Sequence, residues 1–167
     1  MQHARLMPPD VVLRPEDPSD ADLVETLYAV AFGPGRFSRT AYRLREGVPH
    51  DAATSFVAER RGLVIGAIRQ TRVSVASGRA YLLGPLAVAE TAAKQGIGRA
   101  LLERSIAAAA GSVADAIVLV GDHAFYGPSG FGRCGDTVFL PGPVERHRVL
   151  QRPFVRPVAG MVTARPW

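Results

Sequence analysis

The chain has 167 residues, a hydrophobic share of 47% and a formal net charge of +5. That length suits one domain with a full core, and that composition argues against disorder. No apolar run reaches membrane-spanning length, the N-terminus lacks the apolar core of a signal peptide, and the single cysteine, Cys134, leaves no intrachain disulfide to form. A cytoplasmic protein with no membrane partner is the plain expectation.

The positive charge is carried by 19 arginines and one lysine, Lys94. It is uneven: residues 1–30 hold two arginines against six acids, whereas residues 145–167 hold five against one. A basic chain raises nucleic-acid binding as a function. No aromatic residues interleave with the basic ones in a stacking pattern, and a coding bias toward Ala, Arg, Gly and Pro accounts for the charge more simply. No nucleic-acid partner is expected.

In chain order, Met1 to Asp10 reads as a loose lead-in and Val11 to Arg14 as a strand. Ser19 is placed to cap a helix in which Leu23, Leu27 and Val30 recur on one face as far as Phe32. Gly33-Pro34-Gly35 stops it. Ser38 is placed to cap a second helix, Arg39 to Glu46, ended by Gly47, with Ala41 and Leu44 on one face and Arg39, Arg43 and Glu46 on another. Thr54 to Glu59, Leu63 to Val75 (with Gly66 marking a bulge) and Ala80 to Val88 read as three strands. Short turns at Arg60-Arg61-Gly62 and Ala76–Arg79 join them into an antiparallel meander.

The stretch Leu82 to Ile106 carries most of the information. Its strand is interrupted by Gly84-Pro85. A loop from Glu90 to Gln95 follows, then Gly96 and Gly98 at a turn, then a helix from Arg99 to Ala110. The first N–H groups of a helix lack intrahelical partners and sit at the positive end of its dipole. Gly96 and Gly98 leave the backbone open, and Lys94 and Arg99 add charge on either side. The junction is a candidate pyrophosphate cradle. A Walker loop is excluded because no Gly-Lys-Ser/Thr follows, and a Rossmann fingerprint fails at its third position, which is Leu101.

Ala116 to Val120 is a continuous apolar strand, and a strand–helix–strand unit of this length favours a parallel, right-handed crossover. Asp122 is placed to cap a short helix from His123 to Ser129, closed by Gly130-Phe131-Gly132. Thr137 to Leu140 is a further strand, and Pro141-Gly142-Pro143 a stiff turn. Val149–Gln151 and Gly160–Ala164 are candidate terminal strands. No repeat or linker divides the chain, so residues 1–167 read as one domain, with 141–167 extending its sheet.

The strand Leu86-Ala87-Val88 and the loop Ala93-Lys94-Gln95-Gly96-Ile97-Gly98 resemble the coenzyme A loop of the GNAT superfamily of N-acetyltransferases, Gln/Arg-x-x-Gly-x-Gly/Ala after Leu-x-Val. Ala93 departs from the pattern. Further on, Tyr126-Gly127-Pro128-Ser129-Gly130-Phe131 is similar to the family's later Tyr-x-x-x-Gly-Phe signature, in the order the family requires. Together the resemblance covers roughly residues 10 to 140.

The resemblance implies an α/β (α+β) GNAT fold: a mixed sheet of about six to seven strands, flanked by about four helices, with two central strands splayed around the cofactor's pantetheine arm. It implies acetyl-CoA as co-substrate. The backbone of Leu86, Ala87 and Val88 would meet the arm, and Ala93, Lys94, Gln95, Gly96, Ile97, Gly98 and Arg99 the pyrophosphate, with the side chain of Ile97 inward. Arg99 has an alternative as a helix charge paired with Glu103. Tyr126 corresponds to the family's general acid, the alternative being a ring that only packs under the cofactor. The loop and helix near residue 40 would wall the acceptor site, so Arg36, Arg39 and Arg43 are candidates to hold an acidic group of the acceptor; a solvated basic face paired to Glu46 is the alternative.

No glutamate lies on the strand from Leu82 to Val88. Glu25, Glu46, Glu90 and His123 are the nearest bases by position, and a water chain would need none. The activity implied is acetyl transfer to a primary amine of a small molecule or peptide. The alternative is a GNAT-fold sensor of CoA or a metabolite that does not turn over. The arginine-rich tail is a further candidate contact for a homodimer. No spacing of His, Cys or carboxylates resembles a metal site.

Overall fold

The computed structural model describes residues 6–76 and 78–167. The expected lead-in is therefore seen only from Leu6, and Ser77 in the expected Ala76–Arg79 turn lies outside the described residues.

Four strands make the meander: β1 (Val11–Pro15), β2 (Phe56–Arg60), β3 (Leu63–Val75) and β4 (Gly78–Val88), each antiparallel to the next. β2 starts later than its pattern suggests because Ala52–Thr54 form a 3-10 turn, closed by the Asp51 carboxylate accepting from the Ala53 N–H at 2.9 Å. Between β2 and β3 the register slips: Ala58 faces Gly66 but Glu59 faces Val64, so Ile65 is the extra residue of a bulge beside Gly66. The missing side chain at Gly66 also admits a helix, since a Cβ there would lie 3.0 Å from Leu101 Cδ1.

That helix, α3 (Ile97–Ala110), crosses over to β5 (Ala116–Val120), which runs parallel to β4. The short α4 (His123–Tyr126) follows, continued by a 3-10 turn at Gly127–Ser129. The Asp122 carboxylate caps it, accepting from Ala124 N–H at 3.0 Å, as expected. The remaining strands are β6 (Gly132–Arg133), β7 (Val138–Phe139), β8 (Val149–Pro153) and β9 (Gly160–Thr163). The sheet has nine strands rather than six or seven. β7 answers the strand expected at Thr137 to Leu140, whereas β6, at two residues, is too short to show a period in sequence. β8 lies directly against β5, antiparallel, and β6 pairs with its far side at Gln151 and Leu150.

Two helices precede β2. α1 (Ala21–Phe32) buries Val24 and Tyr28, whereas Leu23 and Val30, expected on its inner face, are 56% and 81% exposed. The stripe that packs is Val24, Leu27, Tyr28 and Phe32, against Val57, Ala67 and Ala87. Tyr28 wins the inward position because its phenol also donates to the Pro85 carbonyl at 2.9 Å. Ser19 does not cap α1; a 3-10 turn at Pro18–Asp20 precedes the helix, closed by Asp17 and Asp20 in a reciprocal capping box. α2 is shorter than expected, Thr40–Leu44, and the Ser38 hydroxyl donates back to Gly35 O instead of capping it.

The core alternates across the sheet with the strand period. On the α3 side lie Tyr81 and Leu83 of β4 and Ile117 and Leu119 of β5; on the other side lie Ala80, Leu82, Ala116 and Val118. Cys134 is buried in the second group as a packing residue. A buried polar link fixes α3 to the sheet: the Gln70 amide donates to Ser105 Oγ at 2.7 Å, and Ser105 Oγ donates to Thr54 O at 2.6 Å. Among the described residues, no helix is long and apolar enough to cross a membrane.

Candidate active site

β4 and β5 pair at Ala80–Ala116, Tyr81–Ile117 and Leu82–Val118, and there the ladder ends. From Leu83 onward the two strands part. The cause lies in β4: opposite β3, Gln70 faces Leu83 and Ile68 faces Leu86, so Gly84 and Pro85 together oppose Arg69. The extra residue switches the faces of β4. Leu83 points to α3 before it; after it Leu86 and Val88 point there, and Ala87 points to α1.

A cavity of about 830 Å³ opens where the strands part, with Leu83–Leu86, Val120, Gly121 and Tyr126 in its walls. A second cavity, of about 250 Å³, shares Gly84, Pro85, Tyr42 and Arg45 with the first and is otherwise lined by groups such as Tyr28, His50 and Thr71. The bulge is thus a wall common to both.

The start of α3 leaves a run of backbone N–H groups open. Lys94 and Gly96 both take positive φ, 58° and 80°, which turns successive N–H groups toward one side. Among the described residues, the N–H groups of Gln95 to Arg99 donate to no backbone carbonyl, and the first to do so is Ala100, to Gly96 O at 3.0 Å. A Cβ at Gly98 would meet only ordinary contacts, Val88 Cγ2 at 3.6 Å and Phe125 Cζ at 3.8 Å, so the protein itself does not fill the space in front of it. Ile97 is buried. Gln95 Oε1 accepts from Arg60 Nη2 at 2.7 Å, which ties the loop to β2. Ala93 and Lys94 are exposed beside it.

Arg99 turns its side chain away from the cradle. Nη1 donates to Ser129 Oγ and Nη2 to Phe125 O, both at 2.6 Å, and Ser129 Oγ in turn donates to Glu103 Oε1 at 2.5 Å. The expected alternative, a helix pair with Glu103, is realised with Ser129 interposed. The guanidinium also lies over the Phe125 ring, 4.4 Å from its centre. Arg99 therefore clamps α3 to the segment carrying Tyr126, while its N–H remains in the cradle.

Tyr126 lines the larger cavity. Its ring packs edge-on to Phe125 and Phe131, with centroids 4.9 and 5.8 Å away. Gly121 makes room for it, since a Cβ there would lie 2.5 Å from Tyr126 Cε2. Burial pushes the phenol above the usual tyrosine range, against the opposing charges of Arg45, Arg148 and Arg99. The group stays protonated at neutral pH and can donate.

Of the three arginines expected at the acceptor wall, one lines a cavity. Arg39 lines the larger cavity. Arg36 is buried against its own loop, donating to Gly33 O at 2.8 Å with its guanidinium 4.1 Å from the Phe37 ring centre. Arg43 is exposed and lines neither cavity. The sequence reading passed over Arg45 and Arg148, which do line the larger cavity. Among the positional bases, Glu25 is paired to Arg69 at 2.7 Å and Glu46 is exposed at the smaller cavity. Glu90 and His123 line neither of the two cavities. His50, also passed over, lines the smaller one, 3.5 Å from Glu16. Burial lowers its pKa against the pull of Glu16, so it is neutral at pH 7. It stands in a loop without any period, Pro49-His50-Asp51, and gave no sequence signal. Among the described residues no group of His, Cys, Asp and Glu could hold a metal ion.

Comparison with known proteins points one way. The family model described as an acetyltransferase (GNAT) domain matches residues 51–133, from the turn before β2 to β6. No curated protein sequence matches the chain. Among solved structures, a GNAT-family N-acetyltransferase of Escherichia coli in complex with CoA superposes with a TM-score of 0.76 at 25% identity, covering 92% of this chain and 89% of that one. A GNAT-family acetyltransferase of Brucella melitensis in complex with acetyl-CoA gives a TM-score of 0.62 at 28% identity, over 84% of this chain and 94% of that one. By its central motifs, its splayed strands and these matches, the chain belongs to the GNAT acetyltransferase family.

Proposed function

We propose that the protein transfers an acetyl group from acetyl-CoA to a primary amine. The observation that carries this reading is the end of the β4–β5 ladder at Leu82–Val118, where a cavity with Tyr126 in its wall opens. The residues present suit the co-substrate. Unpaired N–H groups from Gln95 to Arg99 would receive a pyrophosphate at the positive end of a 14-residue helix. The backbone of Leu86, Ala87 and Val88, free of a partner on the β5 side, would receive the amides of an extended arm.

When bound, acetyl-CoA supplies an activated acyl group and a thiolate leaving group. Tyr126 holds the proton that the departing sulfur needs, and its apolar packing keeps that proton in place at neutral pH. Arg99 positions it through Phe125 and Ser129. Arg39 faces the acceptor across the larger cavity, and Arg36 and Arg43 stand outside it. No side chain of β4 in that wall carries a carboxylate, so we assign no residue as base.

The test is calorimetric titration of acetyl-CoA into the wild type and Gly98→Trp, followed by a thiol-release assay over amino acids, polyamines, aminoglycosides and peptides. Binding to the wild type alone, with release of thiol on at least one amine, is the expected outcome. Binding without release on any of them would favour a CoA sensor. Absence of binding would sink both readings.

A further inference from the structure

Arg45 is a half-buried cation with no ion pair among the described residues. Its Nη2 donates one hydrogen bond, to Leu83 O at 3.3 Å, and its Nε is buried with no hydrogen-bond partner among the described residues. The guanidinium lies against the bulge, where Nη2 would be 2.9 Å from a Cβ at Gly84, and it lines both cavities. Every acid near it is held elsewhere or faces solvent. Asp122 caps α4, Glu145 lies 3.3 Å from His147, Glu25 is paired to Arg69, and Glu46 is exposed. The groups whose charges reach it are the phenols of Tyr42, Tyr28 and Tyr126, all neutral at pH 7. Burial accordingly pushes its pKa down to about 10.

A guanidinium held out of water at its Nε with no acid beside it is costly and is kept where something else offsets the cost. Leu83 is the residue at which β4 leaves β5, so the guanidinium waits beside the point where the strands part. The larger cavity adds Arg39 and Arg148 to the same field. We propose that Arg45 seats a carboxylate of the acceptor, which makes the substrates compounds that carry an amine and a carboxylate together, such as free amino acids or short peptides. This rests on the acetyl-transfer reading for the amine, but not for the anion.

The experiment separates the two. N-acetylated glycine, alanine, phenylalanine and a dipeptide, each as free acid and as carboxamide, are titrated into CoA-loaded wild type, Arg45→Gln and Arg45→Lys. No turnover is needed for binding. In the wild type each acid should bind about tenfold or more tightly than its amide, the yield of a charge-assisted hydrogen bond. Arg45→Gln should abolish the difference and Arg45→Lys should keep part of it. The dipeptide arm tells a free amino acid from a peptide terminus. Equal binding of acids and amides in the wild type, or no binding of any acid, overturns the proposal, as does an undiminished preference in folded Arg45→Gln. A preference for acids together with no thiol release from the parent amines would leave the anion site standing and remove the transferase reading.

Discussion

The two halves of β4 obey different rules. From Ala80 to Leu82 the strand is paired on both sides, and its residues alternate between two dry cores. From Leu83 to Val88 it keeps only β3, carries a bulge, and borders two cavities and a half-buried arginine whose Nε has no partner among the described residues. The first half is held by area removed from water; the second keeps open backbone and an uncompensated charge, both of which cost stability. Substitution should therefore act with opposite sign in the two halves: truncation in the first destabilises, whereas removal of the charge beside the second stabilises and damages function.

The largest effect is expected in the paired half. Leu82→Ala should cost about 2–5 kcal/mol in urea denaturation, as for other fully buried leucines, with acetyl-CoA affinity of the folded protein unchanged. A change in affinity at equal stability would show that the two halves are not independent. Next, Tyr126→Phe should lower kcat by about 100-fold while the acetyl-CoA Kd moves little. A lost rate accompanied by lost affinity would assign the ring to packing instead. Arg99→Ala, which frees the segment bearing Tyr126, should cost about tenfold in kcat, the equivalent of one or two hydrogen bonds. Its thermal midpoint should move less than that of Leu82→Ala.

Smaller still, Arg45→Met should raise stability by about 1 kcal/mol, because an apolar side chain replaces a half-buried charge with an unpartnered Nε. A fall in stability would mean that the hydrogen bond to Leu83 O outweighs desolvation. The least effect is expected from alkali. Burial raises the phenol of Tyr126 above its ordinary value near 10, and a donor acid is lost only as pH rises through its own pKa. The transfer rate should therefore show no decline from this group between pH 7 and 10. A basic limb within that range that disappears in Tyr126→Phe would contradict the shift.

The comparison also explains what could be read in advance. The strand at Leu86–Val88, the helix ending at Ala110, the apolar run Ala116–Val120 and the Asp122 cap are local, and each carries its signal within a few residues. The packing face of α1 was not legible because Leu23 and Val24 are both apolar and adjacent, so two stripes compete. Tyr28 settles the choice through a bond to Pro85, 57 residues away. Arg45 looked like one more charge on a short polar helix, and its burial comes from Leu83 and Gly84 on another element. His50 and Arg148 reach the cavities by the same kind of long-range placement. Period and capping fix elements; which polar group ends beside a cavity is decided by tertiary closure.

The two-for-one bulge has a consequence for how this strand tolerates change in length. Gly84 and Pro85 share the place that one residue would take opposite Arg69. Removing Pro85 alone would leave Leu83, Gly84 and Leu86 facing Gln70, Arg69 and Ile68 one to one, so Leu86 and Val88 would still point to α3 and Ala87 to α1. The single deletion would spare the packing and take away only the irregularity at which β4 leaves β5. A one-residue deletion at the bulge should therefore fold and lose the opening between the strands, which makes the bulge a feature of the site rather than of the core.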